Sequence, residues 1–148
     1  MNNLFDHYAA GEKLYTRMTI PICEKFELTS MEFTVLMFLA NNPQYDTASQ
    51  IVRFRHLSKS HVSVSASSLE RKNLISCQYH NGNRKTLHLT PTEQAQPIIR
   101  DGRQMQAQFQ QLLFAGFTQN ERDTLSDLID RVDQNIRAQN QIFSETGV

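Results

Sequence analysis

The segment 47–90 constrains the fold most, because two short helical patterns in it are followed directly by two β-type segments. The first helix is predicted to begin at Asp46 or Thr47, both of which are favourable N-cap residues, and to run to about Arg55. The second is predicted over 58–72. Two helices joined by a short turn and followed by strands exclude a helical bundle without a sheet.

The second predicted helix has one inward and one outward side. Ser58 is its N-cap, and Asn73 follows at a position where left-handed residues end helices. Its inward positions are Val62, Ser65 or Ala66, and Leu69, whereas its outward positions are Lys59, Ser60, His61, Ser63, Val64 and Ser67. Serine is a mediocre helix former, so the six serines between 58 and 68 indicate a role other than helix stability.

The two β-type segments, 74–80 and 84–89, are separated by a turn signal. Asn81-Gly82 lies between them, and this dipeptide is the strongest short indication of a β-hairpin. The order is therefore helix, turn, helix, hairpin, with basic residues on the second helix and at the hairpin tip. We predict a mainly α protein with a small β-hairpin wing, that is, a winged helix-turn-helix.

The net charge of the chain is zero, but the charges are unevenly distributed. Residues 47–90 carry seven basic side chains and one acidic side chain, a net +6, while 1–46 and 91–148 each carry −3. Four of the five histidines also lie in the middle segment. A basic module between acidic flanks favours a nucleic-acid partner, since phosphate attracts the middle and repels the ends. The alternative is chance clustering on a mixed surface.

Three Thr-x-x-Glu segments indicate helix starts through capping boxes. They begin at Thr29, Thr90 and Thr118 and predict helices at about 30–41, 91–115 and 118–143. Pro91 would then occupy the first helical position of the second of these helices, and Pro97 would kink it near its first turns. Apolar residues before residue 28 predict a further amphipathic helix over 3–26, in a pattern that Pro21 interrupts.

The outer helices are too long and too apolar on one face for the middle segment to cover them. Their apolar stripes gain about 25 cal/mol per Å² when buried, and a second copy of the chain is the simplest partner. We therefore expect a homodimer, the alternative being a longer monomeric bundle. The expected division is an N-terminal dimerisation helix in 1–28, the winged helix-turn-helix in 29–90 and C-terminal dimerisation helices in 91–148.

The helix predicted over 58–72 is the candidate recognition helix, because a major groove admits one α-helix. The wing would follow the neighbouring minor groove, where arginine responds to narrow width and negative potential. The residues predicted to bind double-stranded DNA are Ser58, Lys59, Ser60, His61, Ser63, Ser67, Arg71, Asn83, Arg84 and Lys85. The alternative for the helix is a serine-rich solvated face, and for the wing a solvated basic turn.

The order and spacing of these segments resemble the MarR family of transcriptional regulators over nearly the full length. Residues 69–75, Leu-Glu-Arg-Lys-Asn-Leu-Ile, resemble the family's Leu-Glu-x-x-Gly-Leu-Ile, and Asn83-Arg84-Lys85 resembles its Asp-Arg-Arg wing. The other matching segments are 28–29, 35–36, 51–52, 57–63, 92–95 and 118–121. The chain departs from the family pattern at His56, where a glycine is common, and at Val64, where an arginine is frequent.

The resemblance implies a homodimer that binds a pseudo-palindromic operator and usually represses nearby genes. Many members release DNA when a small anionic or phenolic effector binds between the DNA module and the dimer helices. Five aromatic residues are candidates for lining such a crevice, although core packing is the alternative for most of them: Tyr8, Tyr15, Phe26, Phe33 and Phe38.

Other classes of function have little support in the sequence. There is no Gly-rich phosphate loop, nucleophile elbow or His-Glu-x-x-His motif, so an enzyme is not expected. No cofactor is expected, and a zinc site built from His56, His61, Cys77, His80 and His88 is not favoured. Some MarR relatives sense oxidants through a first-helix cysteine, but for Cys23 a core role is favoured.

The chain is expected to be cytoplasmic and not in a membrane. Two cysteines are too few for a disulfide scaffold, and the start of the chain lacks the basic and apolar regions of a signal peptide. The longest apolar run, 34–40, is too short to cross a bilayer. The remaining alternative function is a winged-helix module that binds another protein and does not read DNA.

Overall fold

The computed structural model describes residues 4–79 and 82–146 and shows helices around one small hairpin. The protein is mainly α with a two-stranded antiparallel sheet, and the predicted winged helix-turn-helix is confirmed. In chain order the elements are α1 (Leu4–Lys25), α2 (Ser30–Asn41), α3 (Ala48–Arg55), α4 (Lys59–Arg71), β1 (Ile75–Tyr79), β2 (Leu87–Pro91), a 3-10 turn (Glu93–Ala95), α5 (Gln96–Leu113) and α6 (Gln119–Thr146).

Two of the three predicted capping boxes are present. The Thr29 hydroxyl oxygen accepts a hydrogen bond from the Glu32 amide at 3.1 Å, and the Glu32 carboxylate accepts one from the Thr29 amide at 2.7 Å. Thr118 and Glu121 exchange the same pair of bonds, at 3.3 and 2.8 Å. Both helix starts are therefore confirmed, because each box satisfies two amides that have no partner within the helix.

The predicted capping box at Thr90 and the helix start at Pro91 are wrong. Pro91 is the last residue of β2, and the hydroxyl of Thr92 donates to the Asn73 carbonyl at 2.6 Å instead of capping a helix. Strand pairing thus continues through the predicted start, and α5 begins only at Gln96. Because α5 begins at Gln96, Pro97 lies in the first turn of the helix, where proline is tolerated and does not require the predicted kink.

The pairing of the two hairpin strands does not follow from the Asn81-Gly82 signal alone. A two-residue turn at Asn81-Gly82 would pair Tyr79 with Arg84, but Tyr79 pairs with Leu87. In this register Leu89, which is buried, pairs with Cys77. Burial of this side chain of β2 therefore determines the pairing more strongly than the local turn signal does. His80 and Asn81, which the sequence placed in the hairpin, lie outside the described residues.

The chain divides into two compact units, Met1–Phe109 and Gln110–Val148. In the first, α2 packs against α4, α4 packs against α3 and β1, and α2 also contacts β2. The core is aliphatic and aromatic, and its largest fully buried side chains are Phe33, Val35, Leu36, Ile51, Val62 and Leu69. This core sets the orientation of α4 because α4 contributes two of those side chains.

The second unit contains the end of α5 and all of α6. The Phe114 and Phe117 rings meet edge to face with centroids 5.8 Å apart, and Arg122 lies over the Phe114 ring. Much of the apolar stripe of α6 is exposed in this single chain, namely Leu128, Ile129, Val132, Ile136 and Ile142. Within the described ranges, no helix combines the length and apolar character needed to span a membrane.

Candidate nucleic-acid interface

Helix α4 has the two sides that the sequence predicted. Val62, Ser65, Ala66 and Leu69 are buried, and each predicted outward position is exposed. Successive residues of an α-helix are about 100° apart, so the direction opposite the buried side can be assigned. Four side chains point that way and form what we call the outer ridge: Ser60, Val64, Ser67 and Arg71.

The start of α4 is held by its own cap and by a strained turn. The Ser58 hydroxyl oxygen accepts a hydrogen bond from the His61 amide at 3.1 Å. The preceding His56 adopts a left-handed conformation with φ 51°, which costs a non-glycine residue about 1–2 kcal/mol. Ser58 therefore fixes where α4 begins, and its hydroxyl hydrogen is still available as a donor.

The cationic side chains of the predicted site are exposed. Lys59 lies at the start of α4, Arg71 at its end, and Arg84 and Lys85 lie beyond β1, all on the surface of the first unit. In the part of the chain that the structure describes, no carboxylate forms a salt bridge with any of these four. Positive charge that no carboxylate of the chain neutralises is what binding to phosphate requires.

The C-terminal end of α4 is anchored through Lys72, one of the seven basic residues of the segment 47–90. Its ammonium donates to the Glu32 carboxylate at 3.0 Å and to the Glu27 carbonyl at 2.8 Å. Burial raises the pKa of Glu32, but hydrogen bonds from Ser68, the Thr29 amide and Lys72 outweigh it and hold this pKa below its ordinary value of 4.5. Lys72 therefore links α4 to the start of α2.

The wing is attached to the segment that leads into α3. The Leu89 amide donates to the Asp46 carbonyl at 2.7 Å, and the Asp46 carboxylate lies 2.9 Å from Nδ1 of His88. Thr47 also forms an isolated bridge with His88. Of the two predicted caps for α3, Thr47 is the one used, with Gln50 completing a capping box. Asp46 instead holds β2.

The wing tip presents its predicted residues at the surface. Gly82 has φ 74°, a conformation that glycine adopts without strain. The Asn83 side-chain oxygen accepts a hydrogen bond from the Lys85 amide at 2.9 Å and so stabilises the bend itself. Asn83, Arg84 and Lys85 are all exposed.

The five aromatic residues predicted to line an effector crevice do not share one cavity. Tyr15 and Phe38 border a pocket of about 90 Å³ that also includes Arg55 and Gln106. Phe26 lines a different pocket, beside Lys72 and Leu74. Phe33 is buried in the core, and Tyr8 is 74% exposed.

The two cysteines have raised pKa values. Burial raises the pKa of the Cys77 thiol to about 11, with the nearby Glu70 adding to the effect. Burial also raises the pKa of Cys23, against a hydrogen bond involving Thr19. The thiolate is the reactive form, so both sites favour an unreactive thiol. Among the described residues, no three His, Cys, Asp or Glu side chains are grouped as a metal site.

Sequence reasoning missed the anchoring role of Lys72 and the contact between Asp46 and His88. Both are long-range contacts, joining residues 40 and 42 positions apart. No periodic pattern signals such pairs. For Asp46 the sequence did offer one signal. Asp46 and Thr47 are both good N-cap residues, but only one of them can cap α3, so the other is free for a different contact.

The comparison with protein families gives one match. Residues 26–78, from the end of α1 to β1, match the model of the MarR family. The resemblance inferred from the sequence is thereby confirmed for the helix-turn-helix and the first wing strand. No curated protein matches the chain.

Solved structures with the same fold cover almost the whole chain. A Listeria monocytogenes protein assigned to the MarR family of transcriptional regulators, crystallised with 26mer DNA, is 20% identical, with a TM-score of 0.83 over 99% of this chain and 97% of that one. A SlyA-like transcription regulator from the same organism is 21% identical, with a TM-score of 0.77 over 99% and 96%.

A third similar structure concerns regulation. BpsR of Bordetella bronchiseptica, described in a study of how 6-hydroxynicotinic acid regulates its DNA binding, is 16% identical, with a TM-score of 0.68 over 89% of this chain and 99% of that one. At such identities these likenesses establish the fold.

Proposed function

Because residues 26–78 have the sequence pattern and fold of the MarR family, we infer that this protein is a DNA-binding transcriptional regulator and not an enzyme. It binds a pseudo-palindromic operator as a homodimer in the cytoplasm and represses nearby genes. Helix α4 enters the major groove, and the wing tip follows the adjacent minor groove.

The observation that carries the proposal is the combination of exposed serines on α4 with exposed cations at both ends of that helix and on the wing. Ser60, Ser63 and Ser67 are short, so phosphates and base edges can approach the helix closely. Lys59 and Arg71 flank them on α4, while Arg84 and Lys85 extend the positive surface to the wing. A protein-docking surface has no need of this arrangement.

The homodimer is supported by the exposed apolar face of α6. Five large apolar side chains on this helix are between 43% and 57% exposed in the single chain. A second copy of the same helix would bury them, at about 25 cal/mol per Å². Helices in 1–28 and 91–148 are the proposed dimerisation elements.

Control by a small effector is the remaining part of the proposal. The pocket beside Tyr15 and Phe38 is lined by these aromatic residues and by the basic residue Arg55, which suits a small aromatic anion. The regulation of BpsR by 6-hydroxynicotinic acid supports such an effector for this fold. An effector acts by favouring a half-site spacing that no longer matches the groove repeat.

The test is selection of bound duplexes from a random DNA pool, followed by titration of the winning sequence at several salt concentrations. We expect two-fold symmetric winners and an affinity that falls steeply with salt.

Lys59→Ala should weaken binding to all sequences alike. It should also reduce the slope of log affinity against log salt concentration, called the salt slope below, by about 1 for each phosphate that the lysine neutralises. Arg84→Ala should weaken operator binding, by about 1–3 kcal/mol if the arginine binds a base edge.

The matched control is Arg137→Ala, which removes one exposed positive charge from α6. It should leave both the affinity and the salt slope unchanged. Selection without a common sequence, together with salt-independent binding, would instead identify a protein-interaction module.

A further inference from the structure

Val64 is an exposed hydrocarbon side chain at the centre of the outer ridge. It is 67% exposed, whereas the other large apolar side chains of α4, Val62 and Leu69, are fully buried. On the ridge it lies between Ser60 and Ser67, one turn from each. Its two methyl groups therefore have no role in the core.

Helix stability does not explain Val64 either. A β-branched residue loses side-chain freedom in a helix and is less favourable there than alanine. An exposed valine side chain is also hydrated less favourably than the serine side chains around it. Its methyl groups are therefore available for a contact outside the chain.

The chemistry of the major groove identifies that contact. Each base pair presents hydrogen-bond donors and acceptors there, and thymine alone presents a methyl group, on C5. The valine side chain has no hydrogen-bonding atom, so it gains most from the thymine methyl group. The hydroxyls of Ser60 and Ser67 can donate to or accept from any base and so discriminate weakly.

We propose that Val64 packs against the C5 methyl group of one thymine in each operator half-site and thereby specifies that base pair. The inference rests on the proposed function, because it requires α4 to lie in the major groove. The short serines on either side allow the valine to reach the base edges, since the first longer side chain on the ridge is Arg71, two turns further along α4.

The test replaces each thymine of the selected operator by deoxyuridine, one symmetric pair at a time, which removes the methyl group and no hydrogen-bonding atom. For the wild-type protein, replacement at one symmetric pair of thymines should lower the affinity. The expected decrease is about fourfold for each half-site, the value of one buried methyl-sized group, and therefore about 15-fold for the whole operator. For Val64→Ser, the same replacement should leave the affinity unchanged. Val64→Thr, which keeps one methyl group, should show a smaller decrease.

Val64→Ser is suited to this comparison because the side chain is exposed and serine has a similar helix propensity. Its thermal unfolding midpoint should match that of the wild type. If no thymine is sensitive in the wild type, or if the sensitivity persists in Val64→Ser, the proposal is wrong while operator binding stands. Failure to select any operator would overturn the proposed function, and this inference with it.

Discussion

At the scale of single residues, Glu32 does more than cap a helix. Its carboxylate is 4% exposed and accepts hydrogen bonds from the Thr29 amide and from Lys72, so one buried charge joins the start of α2 to the end of α4. The free energy of unfolding depends on this group because the buried carboxylate accepts charge-assisted hydrogen bonds from both partners, and removing its charge weakens them.

We expect Glu32→Gln to lower the free energy of unfolding by about 1–3 kcal/mol, measured by urea titration at pH 7. The pH dependence should change as well. The pKa of Glu32 is lower in the folded state, so its stabilisation is complete above its ordinary value of 4.5 and is lost as the pH falls through the folded pKa. The wild type should therefore lose stability more steeply in acid than the variant.

The matched control is Glu121→Gln, which alters the same capping-box position at the start of α6. Glu121 is exposed, so its loss leaves no buried charge unpaired. Its effect on the free energy of unfolding should be clearly smaller than that of Glu32→Gln. Equal effects would mean that capping, and not the contact with Lys72, accounts for the stabilisation.

At the scale of elements, the predictions that succeeded depended on neighbours in sequence. The starts of α2, α3, α4 and α6 follow from cap side chains that each accept a hydrogen bond from the amide three positions on, and the buried side of α4 follows from helical spacing. Most of the candidate DNA-binding side chains lie on α4, and their exposure follows from the same spacing.

The limits of some elements depend on distant residues, and local patterns do not give them. The wing register is set by burial of Leu89 and by its bond to Asp46, so the local Asn81-Gly82 signal does not decide it. The predicted start of α5 was wrong because Pro91 is paired in β2. A single sequence does not contain these long-range contacts as a periodic signal, nor does it show which aromatic side chains share a pocket.

Two glycines in helices make a matched test of how closely α2 and α5 pack. A Cβ added at Gly102 would lie 2.5 Å from Sδ of Met37 and 3.2 Å from the Phe33 ring, whereas one at Gly11 in α1 would meet nothing within 4 Å. Gly11→Ala should raise the free energy of unfolding by about 0.5–1 kcal/mol. Gly102→Ala has the same helical gain but overpacks the core by about 1–3 kcal/mol, so a net loss is expected.

Thermal and urea unfolding of the two variants would measure this difference. In a Met37→Ala background, Gly102→Ala should recover the gain seen at Gly11, because the obstructing thioether is gone. If Gly102→Ala stabilises the wild-type background as much as Gly11→Ala does, the close packing of α2 on α5 is not rigid.

At the scale of the whole molecule, the proposed activity requires two copies of the chain. Val132 lies in the middle of the exposed apolar face of α6, between Ile129 and Ile136. Val132→Glu should raise the dissociation constant of the dimer by about 100-fold or more, since an unpaired charge would be buried between the helices. Sedimentation velocity over a range of concentrations measures this, and operator affinity should fall with it.

The control on the same helix is Gln134→Glu. Gln134 is two positions after Val132, which corresponds to about 200° of helical rotation. The substitution therefore places the same charge on the opposite face of α6. Its sedimentation should match that of the wild type. A wild-type protein that sediments as a monomer at all concentrations would refute the dimer directly.

The attachment of β2 to Asp46 has a consequence for how such a regulator can be switched off. Because the strand is bonded through both backbone and side chain to the segment that enters α3, the wing cannot fold back while the helices stay in place. Under the proposed function, release of the duplex then requires α3, α4 and the wing to tilt together. The contacts with the major groove and with the minor groove of a half-site should therefore be lost in a single step.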